Sequence, residues 1–174
     1  MIVADITEDL SIYPVLAELV ACLTLSLGDG APCFSGLLMG DLIPTEYVGH
    51  CEDEDGKPSC GAAYVRVVTA YPTENFPDPL VRPTCNSVMA YQVRVGVVRC
   101  ASVGLDNGDP VEPEELERIT LQQLSDMKSI RQAIQCCLIN AFPNVDHVLG
   151  AFEPMPQEGD VVGGEWPVTL LEDF

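Results

Sequence analysis

A chain of 174 residues can bury one substantial core and is too short for two ordinary domains. Its 27 acidic and 8 basic residues give a formal net charge of -19, which repels duplex phosphate and argues against a nucleic-acid binder that works by counterion release. With 47% hydrophobic residues and a mean hydropathy of +0.18 it is no disordered acidic tail, and no apolar stretch reaches the roughly 18 to 20 residues that cross a bilayer as a helix.

The opening MIVADITEDL carries acids where a secretory signal needs a basic segment, so a cytosolic chain whose eight cysteines begin as thiols is expected. Residues 1–13 read as an N-terminal extension, and 14–174 as a single domain. Pro14 suits the first turn of a helix, where its missing N–H is no loss. Leu16, Leu19, Val20, Leu23 and Leu27 follow at spacings of three and four, and Gly28 supplies the stop. Ala31 to Met39 reads as a short strand weakened by Gly36. The acidic stretch CEDEDGKPSC, Cys51 to Cys60, reads as an exposed hairpin tip around Asp55-Gly56.

Gly61 to Tyr71 alternates with a period of two, Ala63, Val65 and Val67 lying opposite Tyr64, Arg66 and Val68. Val88 to Ala101 does the same, with Met89, Tyr91, Val93, Val95 and Val97 on one face and Gln92 and Arg94 on the other, and is expected to be the central strand. Between them, residues 72–87 hold Pro72, Pro77, Pro79 and Pro83. Such a stretch is expected to form neither helix nor central strand, and reads as a protruding arm that shelters Phe76, Leu80 and Val81 against a neighbouring subunit.

After an Asn107-Gly108 turn, Pro113 with Glu114 and Glu115 opens a second helix, acids suiting the positive end of its dipole. Its expected apolar stripe is Leu116, Thr120, Leu124, Met127, Ile130, Ile134, Leu138 and Ala141, with Gln122, Asp126, Ser129 and Gln132 facing away and a break near Thr120. Pro143 ends it. Two strand-like runs, HVLGAFEPM and GGEWPVTLLE, close the chain around a glycine-rich turn. The predicted fold class is α+β, a mainly antiparallel sheet with two principal helices packed on it.

Candidate chemistry is sparse. With His50 and His147 as the histidines, a Cys-His nucleophile pair would need one of them beside Cys136 or Cys137, yet Cys137 falls on the apolar stripe as a small buried hydrophobe would. Cys33, His50, Cys51, Cys60 and Cys85 lack the paired short spacing of a zinc site. Oxidation of Cys60 with Cys85 would require release into an oxidising medium, and buried free thiols are preferred. The acidic turns put glycine too early for a calcium loop, and Gly159, Gly163 and Gly164 precede a strand, so they do not cradle phosphate. No catalytic, cofactor or metal residue is assigned, and an enzyme is not expected. Arg66, Arg94 and Arg99 are scarce cations that would pair with carboxylates either across an interface or within the subunit. Trp166 would anchor core or interface, the core being preferred.

The N-terminal helix, the strands with their proline-rich arm, the LQQLSDM…RQAIQCC helix and the ending LGAFEPMPQEGDVVGGEWPV together resemble neck proteins of long-tailed actinobacterial phages, the tail terminators above all. That resemblance implies a small α+β domain assembling as a six-fold ring in the virion, assembled in the host cytoplasm. The ring would cap the tail tube, meet a head-side neck protein, and let DNA pass without specific binding. A stopper or adaptor of the same neck is the alternative, and a cysteine-dependent enzyme, a metal protein or an acidic DNA mimic the competing classes. The arm and acidic surface fit a ring, because it needs reach and a lumen that DNA does not grip.

Overall fold

A computed structural model of the chain describes residues 11–32, 34–41, 43, 51–52, 58–59, 61–85, 87–101, 112–158 and 161–172. Helix α1 runs Tyr13–Leu27 with Pro14 in its first turn, and Gly28 caps it at φ 56, a left-handed backbone that glycine adopts without a Cβ clash. Strand β1, Phe34–Met39, follows, then the two-residue strands β2, Cys51–Glu52, and β3, Pro58–Ser59, which pair antiparallel as the base of the expected acidic hairpin. The tip of that hairpin and residues 1–10 of the expected extension lie outside the described residues. Ile12, also assigned to that extension, is buried in the core.

The sheet is built on β4, Gly61–Asn75, β6, Val88–Cys100, and β9, Val161–Glu172, in the order β1-β4-β6-β9-β7. The expected central strand, β6, is the central one. Strand β7, His147–Leu149, and β8, Glu153–Glu158, lie along successive parts of β9's outer edge, and β5, Asp78–Pro79, pairs with the far end of β4. Every pairing in this seven-stranded sheet is antiparallel except that of β1 with β4. The fold class is therefore α+β, with a mostly antiparallel sheet and two main helices.

Period-two alternation assigns the faces. Ala63, Val65 and Val67 of β4, Val93, Val95 and Val97 of β6, and Val168 and Leu170 of β9 form one core with Val15, Leu16, Leu19 and Leu23 of α1. The second helix closes that core. It comprises α2, Pro113–Gln132, a π-helical segment, Ala133–Leu138, and a last turn, α3, Ile139–Ala141. Burying one of these leucines or isoleucines fully contributes about 1.5 to 3 kcal/mol. The reverse face carries a smaller cluster of Ala62, Tyr64 and Val98 with Phe34, Leu38, Ile43, Met155 and Val161 packed on it. There Gly96 lies under the Tyr64 ring, where a Cβ would meet the hydroxyl at 2.5 Å.

Three expectations are corrected. Pro72 does lie within a long strand, opposite Met89 of β6, and the alternation breaks at a bulge between Val67 and Thr69. Its carbonyl accepts from Leu80 N–H at 2.7 Å, so its ring nitrogen faces the same edge, beyond the end of β1 at Met39↔Val67, and no bond to β6 is lost. The second helix passes through Thr120 unbroken, and its irregularity comes later, in the π segment. Its inward face is Ile119, Asp126, Ile130, Ala133, Ile134 and Leu138, so Leu116 and Leu124 are exposed and Asp126 is buried.

Candidate functional site

The three strand arginines find partners within the chain. Arg66 of β4 and Glu165 of β9 project from the reverse face on either side of β6, both nearly inaccessible, and form a two-pronged pair across it with Nε–Oε2 at 2.6 Å and Nη2–Oε1 at 2.8 Å. The remaining nitrogen, Nη1, donates to Gly40 O at 3.2 Å and reaches Asp41 Oδ1 at 3.5 Å. The hydrogen-bonded carboxylate holds the Arg66 guanidinium protonated beyond its ordinary range. Beside the pair, burial, followed by the Glu165 charge, pushes the Tyr64 phenol far above its usual value, and its hydroxyl points at Met155 Sδ at 3.5 Å. Arg94 bonds the exposed Glu153 and lies 4.0 Å from Glu165 Oε1.

Arg99 ends β6 with a second two-pronged pair, at 2.7 and 2.8 Å to Asp126 of α2, and donates to Gly30 O at 2.8 Å after α1. That contact explains why a helix turns an aspartate inward: a desolvated carboxylate is tolerable when a guanidinium fills both of its oxygens. Arg66 and Arg99 thus tie elements of the chain together. Trp166 packs edge-on against Phe152, ring centres 5.7 Å apart, and donates to Gly150 O at 2.6 Å, on the rim of the main core.

The proline-rich stretch is an ordered extension of the β4–β6 pair. Thr73 is buried, with its hydroxyl donating to Asp78 O at 2.7 Å, and Tyr71 OH donates to Pro77 O at 2.6 Å, which folds β5 back on β4. Phe76, preceding a cis Pro77, and Leu80 are half-buried. Val81, in the segment that follows β5, is 92% exposed. Phe76 also borders a shallow hollow of about 300 Å³ shared with Thr84, Val88 and Leu171. Of the three arm residues, Val81 is thus the one fully presented to solvent.

A second exposed surface was hidden by the misphased stripe. On α2, Leu121 and Leu124 are 59% and 50% exposed, and Lys128 and Arg131 continue the same line at spacings of four and three. Both cations are exposed, and neither has an ion pair among the described residues. The signal was present in the pattern: a leucine-to-cation row at i, i+3, i+7, i+10 competes with the isoleucine row for the inward face, and the charged row faces solvent.

Cys137 bonds Cys22 of α1, Cα atoms 5.6 Å apart, which corrects the expected buried free thiol and removes Cys137 as a nucleophile. The grouping of Glu18, Cys22 and Cys137 is built around that same disulfide, so its sulfurs are not thiolate ligands. Cys85 is free, in line with the preference for a free thiol over pairing with Cys60, but it is exposed where burial was expected, and Cys136 is likewise free and exposed. Cys100 is disulfide-bonded. Cys33, His50 and Cys60 of the rejected zinc set lie outside the described residues. His147 sits on β7 with Nδ1 3.1 Å from Val145 O. Among the described residues no helix is long and apolar enough to cross a membrane. No protein-family model matches this chain, and no curated protein matches it either.

Proposed function

We propose that this chain is a structural subunit of a phage neck, a tail terminator that forms a ring capping the tail tube and joining it to the head-side connector. The observation that carries the reading is the ordered β4–β5 hairpin, locked by the Tyr71 and Thr73 hydrogen bonds, which leaves Val81 out in solvent where the chain departs from β5. An exposed apolar side chain on an ordered arm of an acidic chain favours contact with a protein neighbour. The net charge of -19 suits a lumen past which DNA slides without being gripped. The α+β sheet with two packed helices is the architecture that the resemblance to tail terminators implies. A stopper or adaptor of the same neck is the nearest alternative, and the work in every case is adhesion without bond chemistry.

The test is the native mass of the purified chain, alone and mixed with tail tubes. A closed ring of six copies has about six times the 18.8 kDa of the chain. A monomer under both conditions overturns the reading, whereas assembly only on tubes supports it, since a template stabilises the form that binds it.

A further inference from the structure

The two exposed surfaces lie toward opposite ends of the sheet. Ile119 and Gln122 of α2 border the same depression as Arg99, Cys100 and Ala101, at the end of β6, while the hairpin extends beyond Val88, at its start. At roughly 3.3 Å per residue, β6 holds these ends about 40 Å apart, and Asp126, in the middle of the Leu121–Arg131 row, is bonded to Arg99 at the far end, so a subunit's hairpin does not reach that part of its own α2.

Their chemistry is complementary in order as well as in sign. The exposed acids Glu74 and Asp78 flank the Phe76–Pro77 turn of the hairpin, and the exposed Val81 and the exposed base Arg82 follow on the segment that leaves β5. Along α2 the exposed row runs from acid to base: Glu117, then Leu121 and Leu124, then Lys128 and Arg131. From Glu117 to Lys128 the helix covers about 16 Å at 1.5 Å per residue. The span from Asp78 to Arg82 covers about 13 Å when extended. Laid antiparallel, the hairpin acids meet Lys128 and Arg131, Val81 meets the two leucines, and Arg82 meets Glu117. In a chain with 27 acids and 8 bases, the described cations lacking an intramolecular ion pair are Arg82, Lys128 and Arg131, all of them in these two surfaces.

We propose that the β4–β6 hairpin of one copy docks on the exposed Leu121–Arg131 row of α2 in the next copy, as the contact that propagates the ring. This rests on the ring reading and names the surface that makes it. Because different surfaces meet, the contact is heterologous and runs head to tail, the class that closes into rings.

Sedimentation velocity across a concentration series tests it with two variants, K128E/R131E and E74K/D78K, each checked for an unchanged thermal midpoint. Each variant alone is expected to associate at least roughly tenfold more weakly than the wild type, as like charges then face each other across the contact. An equimolar mixture of the two is expected to regain association, because each wild-type surface finds a wild-type partner and each reversed surface a reversed one. V81E is expected to weaken association in any pairing. Wild-type association that neither charge variant alters, or a mixture that stays as weak as its components, overturns this contact and leaves the ring reading standing. A wild-type chain that is monomeric both at the highest concentration and on tail tubes overturns the two together.

Discussion

The Cys22–Cys137 bond joins α1 to the π segment across the main core and closes a loop of 115 residues. In the chain-entropy account a crosslink of that span removes about 4.8 kcal/mol of freedom from the unfolded chain, and measured disulfides more often contribute about 2 to 4 kcal/mol. For a domain of this size each kcal/mol moves the thermal midpoint by about 2 to 4 °C, so loss of the bond is expected to lower it by about 10 °C. Since Cys100 is also disulfide-bonded, reductant alone does not isolate the effect. The measurement is therefore a cycle: wild type and C22A/C137A, each unfolded thermally with and without dithiothreitol. Reductant should lower the wild type by about 10 °C more than it lowers the double variant. Equal shifts in the two proteins, or native oxidised chain in which an alkylating reagent labels Cys22 and Cys137, would refute the reasoning.

Two other predictions follow from the reverse face of the sheet. Replacing Glu165 by alanine leaves the buried Arg66 guanidinium without its two-pronged partner and is expected to destabilise the fold by about 3 to 5 kcal/mol. R66M/E165L removes both charges and should retain most of the wild-type stability in urea unfolding. A double variant as unstable as E165A would show that packing, not an unpaired charge, is responsible. Tyr64 has its phenol pushed upward by burial and by Glu165, so the folded chain keeps this proton at pH values where the unfolded chain, near the ordinary value of about 10, has released it. Fewer protons on the unfolded state make stability fall as pH rises above about 10, by up to about 1.4 kcal/mol per pH unit from this residue. Y64F should flatten that decline in urea midpoints measured between neutral and alkaline pH; an identical slope in the two proteins would sink the assignment.

What the sequence determined by itself was local. Alternation placed β4 and β6 and the inward faces of Val65 and Val95, Pro14 and Gly28 bounded the first helix, and Pro113 opened the second, because side-chain period and backbone restriction act within a few residues. The central position of β6 was legible too, since its apolar face is the longest unbroken row. The tertiary structure decided whatever depends on residues far apart in the chain. The phase of α2 turned on Arg99, whose guanidinium draws Asp126 inward and sends Leu121 and Leu124 to the surface. The parallel seat of β1, the harmless Pro72 beside a strand that has ended, and the pairing of Cys22 with Cys137 across 115 residues likewise follow from neighbours that periodicity cannot name. A local pattern states which side of an element is apolar; which partner satisfies its buried charges and edges is settled only when the elements meet.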